Sequence, residues 1–125
     1  TRFDLAGHLY IAATLALTVF GQLIIKWQMG GAGPLPAGAV EKLLCLLRQC
    51  LNPWVLCGFA AAFLASLAWM AAMTRLELNY AYPFMSLAFV IVMVFSIVFL
   101  GEAFSLQKAL GTSMVVAGLL VLSRA

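Results

Sequence analysis

Four runs of the chain, Gly7 to Met29, Trp54 to Thr74, Tyr80 to Leu100 and Gln107 to Ser123, are each long and apolar enough to cross a bilayer, which asks for about 20 mainly apolar residues per helix. No water-soluble arrangement hides so much apolar surface: 66% of the residues are hydrophobic and 9% charged, against roughly 45–50% and about 25% in soluble domains. Backbone groups in hydrocarbon must be satisfied within the spanning structure, which leaves helices or a closed barrel. Barrel strands alternate polar and apolar residues, and runs such as Phe89-Val90-Ile91-Val92-Met93-Val94-Phe95 do not. The sequence therefore predicts an all-α membrane protein, with residues 1–125 forming one transmembrane domain of four helices. The first run is expected to stay in place: its apolar stretch is too long for a signal peptide, and no small-residue cleavage site is followed by a soluble chain.

The connections Arg75 to Asn79 and Gly101 to Leu106 are short, so helices two, three and four are expected to be antiparallel neighbours in sequence order. The first connection is longer and sets the first helix apart. It opens with Gly30-Gly31-Ala32-Gly33-Pro34, a stretch expected to end the helix before it. Beyond Pro36, Val40, Leu43, Leu44, Leu47 and Leu51 recur at helical spacing while Glu41, Lys42, Arg48 and Gln49 take the other side. This predicts an amphipathic helix over about residues 38–51, too short to span and suited to lying flat on the membrane interface.

The net charge of +3 is spread too thinly for a nucleic-acid patch. Arg2, Arg75 and Arg124 fall on one side of a four-span topology. Lys42, Arg48 and Lys108, with Lys26 near the boundary, fall on the other. That near balance sets no orientation by the positive-inside rule. Three cysteines, Cys45, Cys50 and Cys57, with no CxxC pair and one histidine, His8, form neither a disulfide framework nor a metal site. No nucleophile, base and acid set is present, no cofactor is implied, and the chain does not read as an enzyme. Asp4, Glu41, Glu77 and Glu102 all lie at helix ends or in connections, so proton-coupled antiport through a buried carboxylate has no residue to run on.

Polar side chains within spans are costly and usually face the bundle or a cavity. Thr14, Thr18, Gln22 and Lys26 recur every four residues along the first helix. The spacing suggests a polar stripe, with Thr18 near the midplane and Lys26 near the edge. The competing reading is packing, with hydroxyls bonded to their own helix and Lys26 extended to the interface. The third helix opens Tyr80-Ala81-Tyr82-Pro83-Phe84-Met85-Ser86, with Pro83 tolerated in a first turn, or kinking a helix that starts earlier. Tyr82 and Ser86, four apart, are candidates to face the same cavity, while Tyr80 is a weaker one. Glu102 and Lys108 suggest a surface ion pair or cap. Trp69 is core or cavity wall. Gly111 and Gly118, seven apart on the fourth helix, permit close helix contact and are read as a subunit interface.

Gly21-Gln22 with Lys26, Ala81-Tyr82-Pro83 with Ser86, Gly101-Glu102 with Ser105, and Gly111 with Gly118 together resemble the small four-helix members of the drug/metabolite transporter superfamily. Small multidrug-resistance exporters are one branch. Their signature glutamate, three residues before the glycine that aligns with Gly21, is replaced here by Thr18. The chain is more similar to the paired subunits that flip 4-amino-4-deoxyarabinose on undecaprenyl phosphate across the bacterial inner membrane, in support of lipopolysaccharide modification.

That resemblance implies a multi-pass inner-membrane flippase or flippase subunit for a polyprenyl-phosphate-linked sugar, acting as a homodimer or with a similar four-helix partner. A hydrogen-bonding groove open to lipid would be formed by Thr14, Thr18, Gln22 and Lys26 with Tyr82 and Ser86, Lys26 meeting the phosphate. The alternatives are a cationic-compound exporter of the small multidrug-resistance type and a non-transporting scaffold subunit.

Overall fold

The computed structural model describes residues 4–124, the Ala32 side chain excepted. Among them every regular element is helical, and four helices are long and apolar enough to cross a membrane. Arg2, weighed above for orientation, lies outside the described residues.

Helix α1 spans Leu5–Ala32. Asp4 caps it by accepting the Gly7 N–H at 3.0 Å, one of the donors that every helix start leaves unpaired. Contrary to the sequence expectation, α1 continues through Gly30 and Gly31. An exposed glycine costs a helix only about 1 kcal/mol, too little to stop one already formed. The stop comes at Gly33, whose φ of 81° lies in the left-handed region, followed by Pro34, which disfavours helical geometry in the residue before it.

Helix α2 covers Ala39–Gln49, with Glu41 in its first turn and Arg48 in its last, charges that complement the helix dipole. None of its residues is buried, and Val40, Leu43, Leu44 and Leu47 are each more than half exposed. At about 16 Å it is half as long as the hydrocarbon is thick. Its uncovered apolar side is what an interfacial helix turns toward lipid.

Helix α3, Pro53–Met73, begins with proline where a missing N–H costs least. Asn52 accepts the Trp54 N–H at 2.9 Å and donates to Gln28 Oε1 at 2.9 Å. Trp27 meets Trp54 edge to face, centroids 5.6 Å apart. From this tie α3 packs along α1, the most extensive helix pairing in the molecule. Small residues bring the two backbones together: a Cβ at Gly21 would stand 2.9 Å from the Gly58 carbonyl oxygen, and one at Gly58 3.2 Å from that of Gly21.

The third span is interrupted. Helix α4, Leu78–Ala81, gives way to a 3₁₀ turn, Tyr82–Met85, before helix α5 runs from Ser86 to Phe99. Pro83 supplies no N–H for an α-helical bond, and the tighter turn accommodates it. Helix α5 ends where Gly101, at φ 69°, reverses the chain and the Glu102 N–H reaches the Ser96 carbonyl at 3.1 Å. Helix α6, Leu106–Ser123, is capped by Ser105, which accepts the Lys108 N–H at 3.1 Å.

One expectation about arrangement is corrected. The first span is not set apart: α1 packs against both α3 and α5, whereas α3 and α5, expected as neighbours, make little contact with each other among the described residues. Ile11 and Leu15 of α1 meet Ala72 of α3 and Ala81 beside the turn in the main buried cluster. The long first connection does not separate α1 from the rest, because the Asn52–Gln28 and Trp54–Trp27 contacts return α3 directly to it.

Candidate functional site

Where α3 diverges from the turn before α5, a cleft of about 420 Å³ opens between α1, α3 and that turn. Helix α1 contributes Thr14, Thr18, Gly21, Gln22 and Ile25; α3 contributes Gly58, Ala62, Ala65, Ser66, Trp69 and Met70; the turn contributes Tyr82 and Met85. None of these is charged. The lining is mostly apolar, with hydroxyl, amide and indole groups set into it.

The polar groups differ in what they have left to offer. Thr14 is buried and its hydroxyl donates to the Tyr10 carbonyl at 2.8 Å; Ser66 donates to Ala62 at 3.1 Å. Both spend their hydrogen on their own helix, so toward the cleft they act as acceptors. Gln22 is exposed and has no hydrogen-bond partner among the described residues, leaving its amide free to donate and accept. Tyr82 stands edge to face with Trp69, centroids 6.0 Å apart; Trp69 both lines the cleft and packs against the main buried cluster.

Four of the six residues singled out from sequence, Thr14, Thr18, Gln22 and Tyr82, line this cleft; Lys26 and Ser86 do not. Each four-residue step advances about 40° round an α-helix, so Lys26 stands about 120° from Thr14. Its Nζ lies 3.5 Å from Glu102 Oε2 instead. Lys108, the partner expected for Glu102, bonds the Ala103 carbonyl at 2.7 Å. Ser86 is displaced by the 3₁₀ turn: three-residue spacing puts Tyr82 and Met85 on one face and rotates Ser86 off it.

Tyr80 belongs to another cluster. Its hydroxyl is 3.0 Å from His8 Nε2, and His8 Nδ1 is 2.6 Å from the Asp4 carbonyl. Arg75 reaches Asp4 at 3.4 Å. The Gly7 N–H does most to hold the Asp4 carboxyl below its ordinary range; desolvation opposes it, and the Arg75 guanidinium adds to the lowering. These contacts tie the start of α1 to the α3–α4 connection.

Of the α3 wall, sequence reasoning considered Trp69 alone and missed the small residues beside it. Gly58, Ala62, Ala65, Ser66 and Trp69 recur at three- and four-residue spacing, a row of small residues ending in a ring. Helix α3 is apolar all round, so no polar stripe marked that row as the side facing a cavity.

A multi-pass helical protein with an uncharged, hydrogen-bonding cleft has the form of a membrane transporter. The comparisons are decisive on the family: residues 3–124 match the EamA-like transporter family, and the chain belongs to it. It is 31% identical to an Erwinia tasmaniensis protein named "Probable 4-amino-4-deoxy-L-arabinose-phosphoundecaprenol flippase subunit ArnF", over 93% of each chain. Proteins of the same name from Sodalis glossinidius and Aeromonas hydrophila are 30% and 29% identical. These alignments cover 93% and 94% of this chain and 89% and 79% of the relatives. No solved structure matches. The resemblance drawn from the short motifs is upheld: this is a multi-pass inner-membrane transporter, not an enzyme.

Proposed function

We propose that this transporter is a flippase, or one subunit of a flippase, that carries a polyprenyl-phosphate-linked sugar across the bacterial inner membrane. Aminoarabinose on undecaprenyl phosphate is the headgroup class, as in the names of its relatives. The observation that carries the reading is the uncharged cleft beside α1. A sugar needs several neutral donors and acceptors, and a lipid whose tail remains in the bilayer needs a cleft open to the side. Thr14, Thr18, Gln22, Ser66 and Tyr82 meet hydroxyls, while the Trp69 and Tyr82 rings cover the sugar's apolar face. Lys26, one helical turn beyond Gln22, takes the phosphate by exchanging it for Glu102.

A second four-helix chain, a copy of this one or a similar subunit, completes the path. Side chains added at Gly111 and Gly118 would meet nothing within 4 Å, so the face proposed as the subunit interface is uncovered within the chain.

The test is lipid flipping by the purified protein in liposomes, alone and with a candidate partner subunit. Movement of the polyprenyl-phosphate sugar, reduced in a Gln22→Ala, Lys26→Ala double variant that still assembles, is the expected result. Failure to bind or move that lipid in either format overturns the reading. Transport of cationic solutes without lipid movement points to an exporter. A double variant that moves the lipid as well as wild type rules Gln22 and Lys26 out of the path, and intact assembly without transport of any solute points to a scaffold.

A further inference from the structure

A second groove, of about 390 Å³, lies between α1 and α5 and has a different chemistry. Phe20, Leu23 and Trp27 of α1 face Phe95, Phe99 and Leu100 across it. Every residue that lines it is apolar. Phe95 and Phe99 stack at 5.3 Å with an interplanar angle of 18°, giving one wall a broad, nearly flat aromatic surface.

Its position relative to the cleft is the informative part. On a helix, residues three and four apart are surface neighbours. Lys26 has Gln22, a lining residue of the cleft, four positions before it, and Leu23, a lining residue of the groove, three positions before it. Its ammonium therefore rises from the ridge of α1 between the two. Glu102, which pairs with it at 3.5 Å, follows two residues after Leu100, at the groove's other wall. A polar cleft, a cation and an apolar groove thus occur in that order around α1. A lipid-linked sugar has the same order: sugar, phosphate, hydrocarbon.

We infer that the α1–α5 groove binds the phosphate-proximal isoprenoid units of the transported lipid, so that the molecule straddles α1 with its phosphate on Lys26. This rests on the flippase reading and adds to it a site for the tail. Flat aromatic walls suit a branched, unsaturated isoprenoid chain. The groove therefore selects polyprenyl lipids over ordinary acyl lipids, leaving the cleft to select the sugar.

The experiment is photolabelling of the full-length protein in liposomes with a polyprenyl-phosphate sugar carrying a diazirine on its first isoprenoid unit. Labelling is expected to concentrate on Trp27, Phe95 and Phe99 and to be displaced by unlabelled polyprenyl phosphate but not by phosphatidic acid with saturated chains. Label spread equally onto Phe59 and Phe63, exposed aromatics of α3, overturns the inference, as does equal displacement by phosphatidic acid. A Leu23→Trp variant, which fills the groove, is expected to lose most of this labelling while still binding the water-soluble sugar phosphate; equal loss of both, or of neither, also counts against a tail site. Labelling reads binding alone. Groove labelling without flipping thus contradicts the transport reading and keeps the tail site, and flipping without groove labelling does the reverse.

Discussion

The pair α1 and α3 and the pair α5 and α6 are made of equally apolar sequence, yet only the first pair is packed as a finished structure. Between α1 and α3 lie Ile11, Val19, Val55, Ala61 and Ala65, all buried, and two glycines that let the backbones touch. In α5 and α6 the buried residues are Ser96 and Leu119; Val98, Phe99, Met114 and Val121 are largely exposed. In a membrane the two conditions mean different things. Helices in lipid associate through close packing and small residues rather than through the hydrophobic effect. A well-packed pair is a fixed scaffold; a loosely packed one is left for lipid or another subunit to complete.

Glycine substitutions separate the two halves most sharply. Gly21→Leu places side-chain atoms where the Gly58 backbone already stands, and overpacking of this kind costs typically 1–3 kcal/mol, sometimes more. Thermal unfolding in detergent is expected to fall by several degrees or more, with the cleft lost as α3 is pushed away. The same change at Gly111 and Gly118 meets open space and is expected to leave unfolding of the single chain unchanged, while cross-linking between subunits drops severalfold. Equal destabilisation at both places would mean that the α5–α6 half is as locked as the first. Unchanged cross-linking would leave lipid as what covers α6.

Next in size is the effect of emptying the cleft without disturbing the scaffold. Gln22→Ala removes an exposed amide with no partner among the described residues, so stability is expected to hold while transport falls about tenfold, the worth of one or two hydrogen bonds. Ser86→Ala, outside the cleft, is expected to leave transport near wild type. Comparable losses from both would place the path along the face that the four-residue spacing of Tyr82 and Ser86 suggests, not along the one the 3₁₀ turn creates.

That contrast shows which parts of the molecule a sequence discloses. The four spans and the amphipathic helix between the first two were legible because length and periodicity encode them. Thr14, Thr18 and Gln22 were legible because polar residues in an apolar helix are conspicuous. Lys26 falls outside the cleft lining because the stripe's rotation round the helix accumulates with each step. Ser86 was misplaced because one proline changed the helical period of the turn before it. The α3 wall left almost no trace, since glycine, alanine and serine on an apolar helix look the same whether they face a neighbour, lipid or a cavity. The central position of α1 was hidden too: Asn52–Gln28 and Trp54–Trp27 are contacts across a connection whose length suggested separation.

The smallest expected effect concerns how firmly the scaffold half is tied at its edge. Asp4 carries the cap of α1 and the ion pair to Arg75, and its carboxyl is held below its ordinary range. A lowered pKa means that the folded state favours the charged form. The stability this supplies is complete above the ordinary aspartate range and is lost as pH falls through the lowered value. Hydrogen exchange at the Gly7 and His8 amides is therefore expected to accelerate, relative to the intrinsic rate, only at strongly acidic pH. Asp4→Asn keeps an oxygen for the cap and removes the titrating charge and its pairing with Arg75, so its relative protection is expected to stay flat there. A matching acid loss in the variant would mean that the carboxylate is not what the acid sensitivity of this edge rests on, and that the α1–α3 half is held at that end by contacts other than the Asp4 charge.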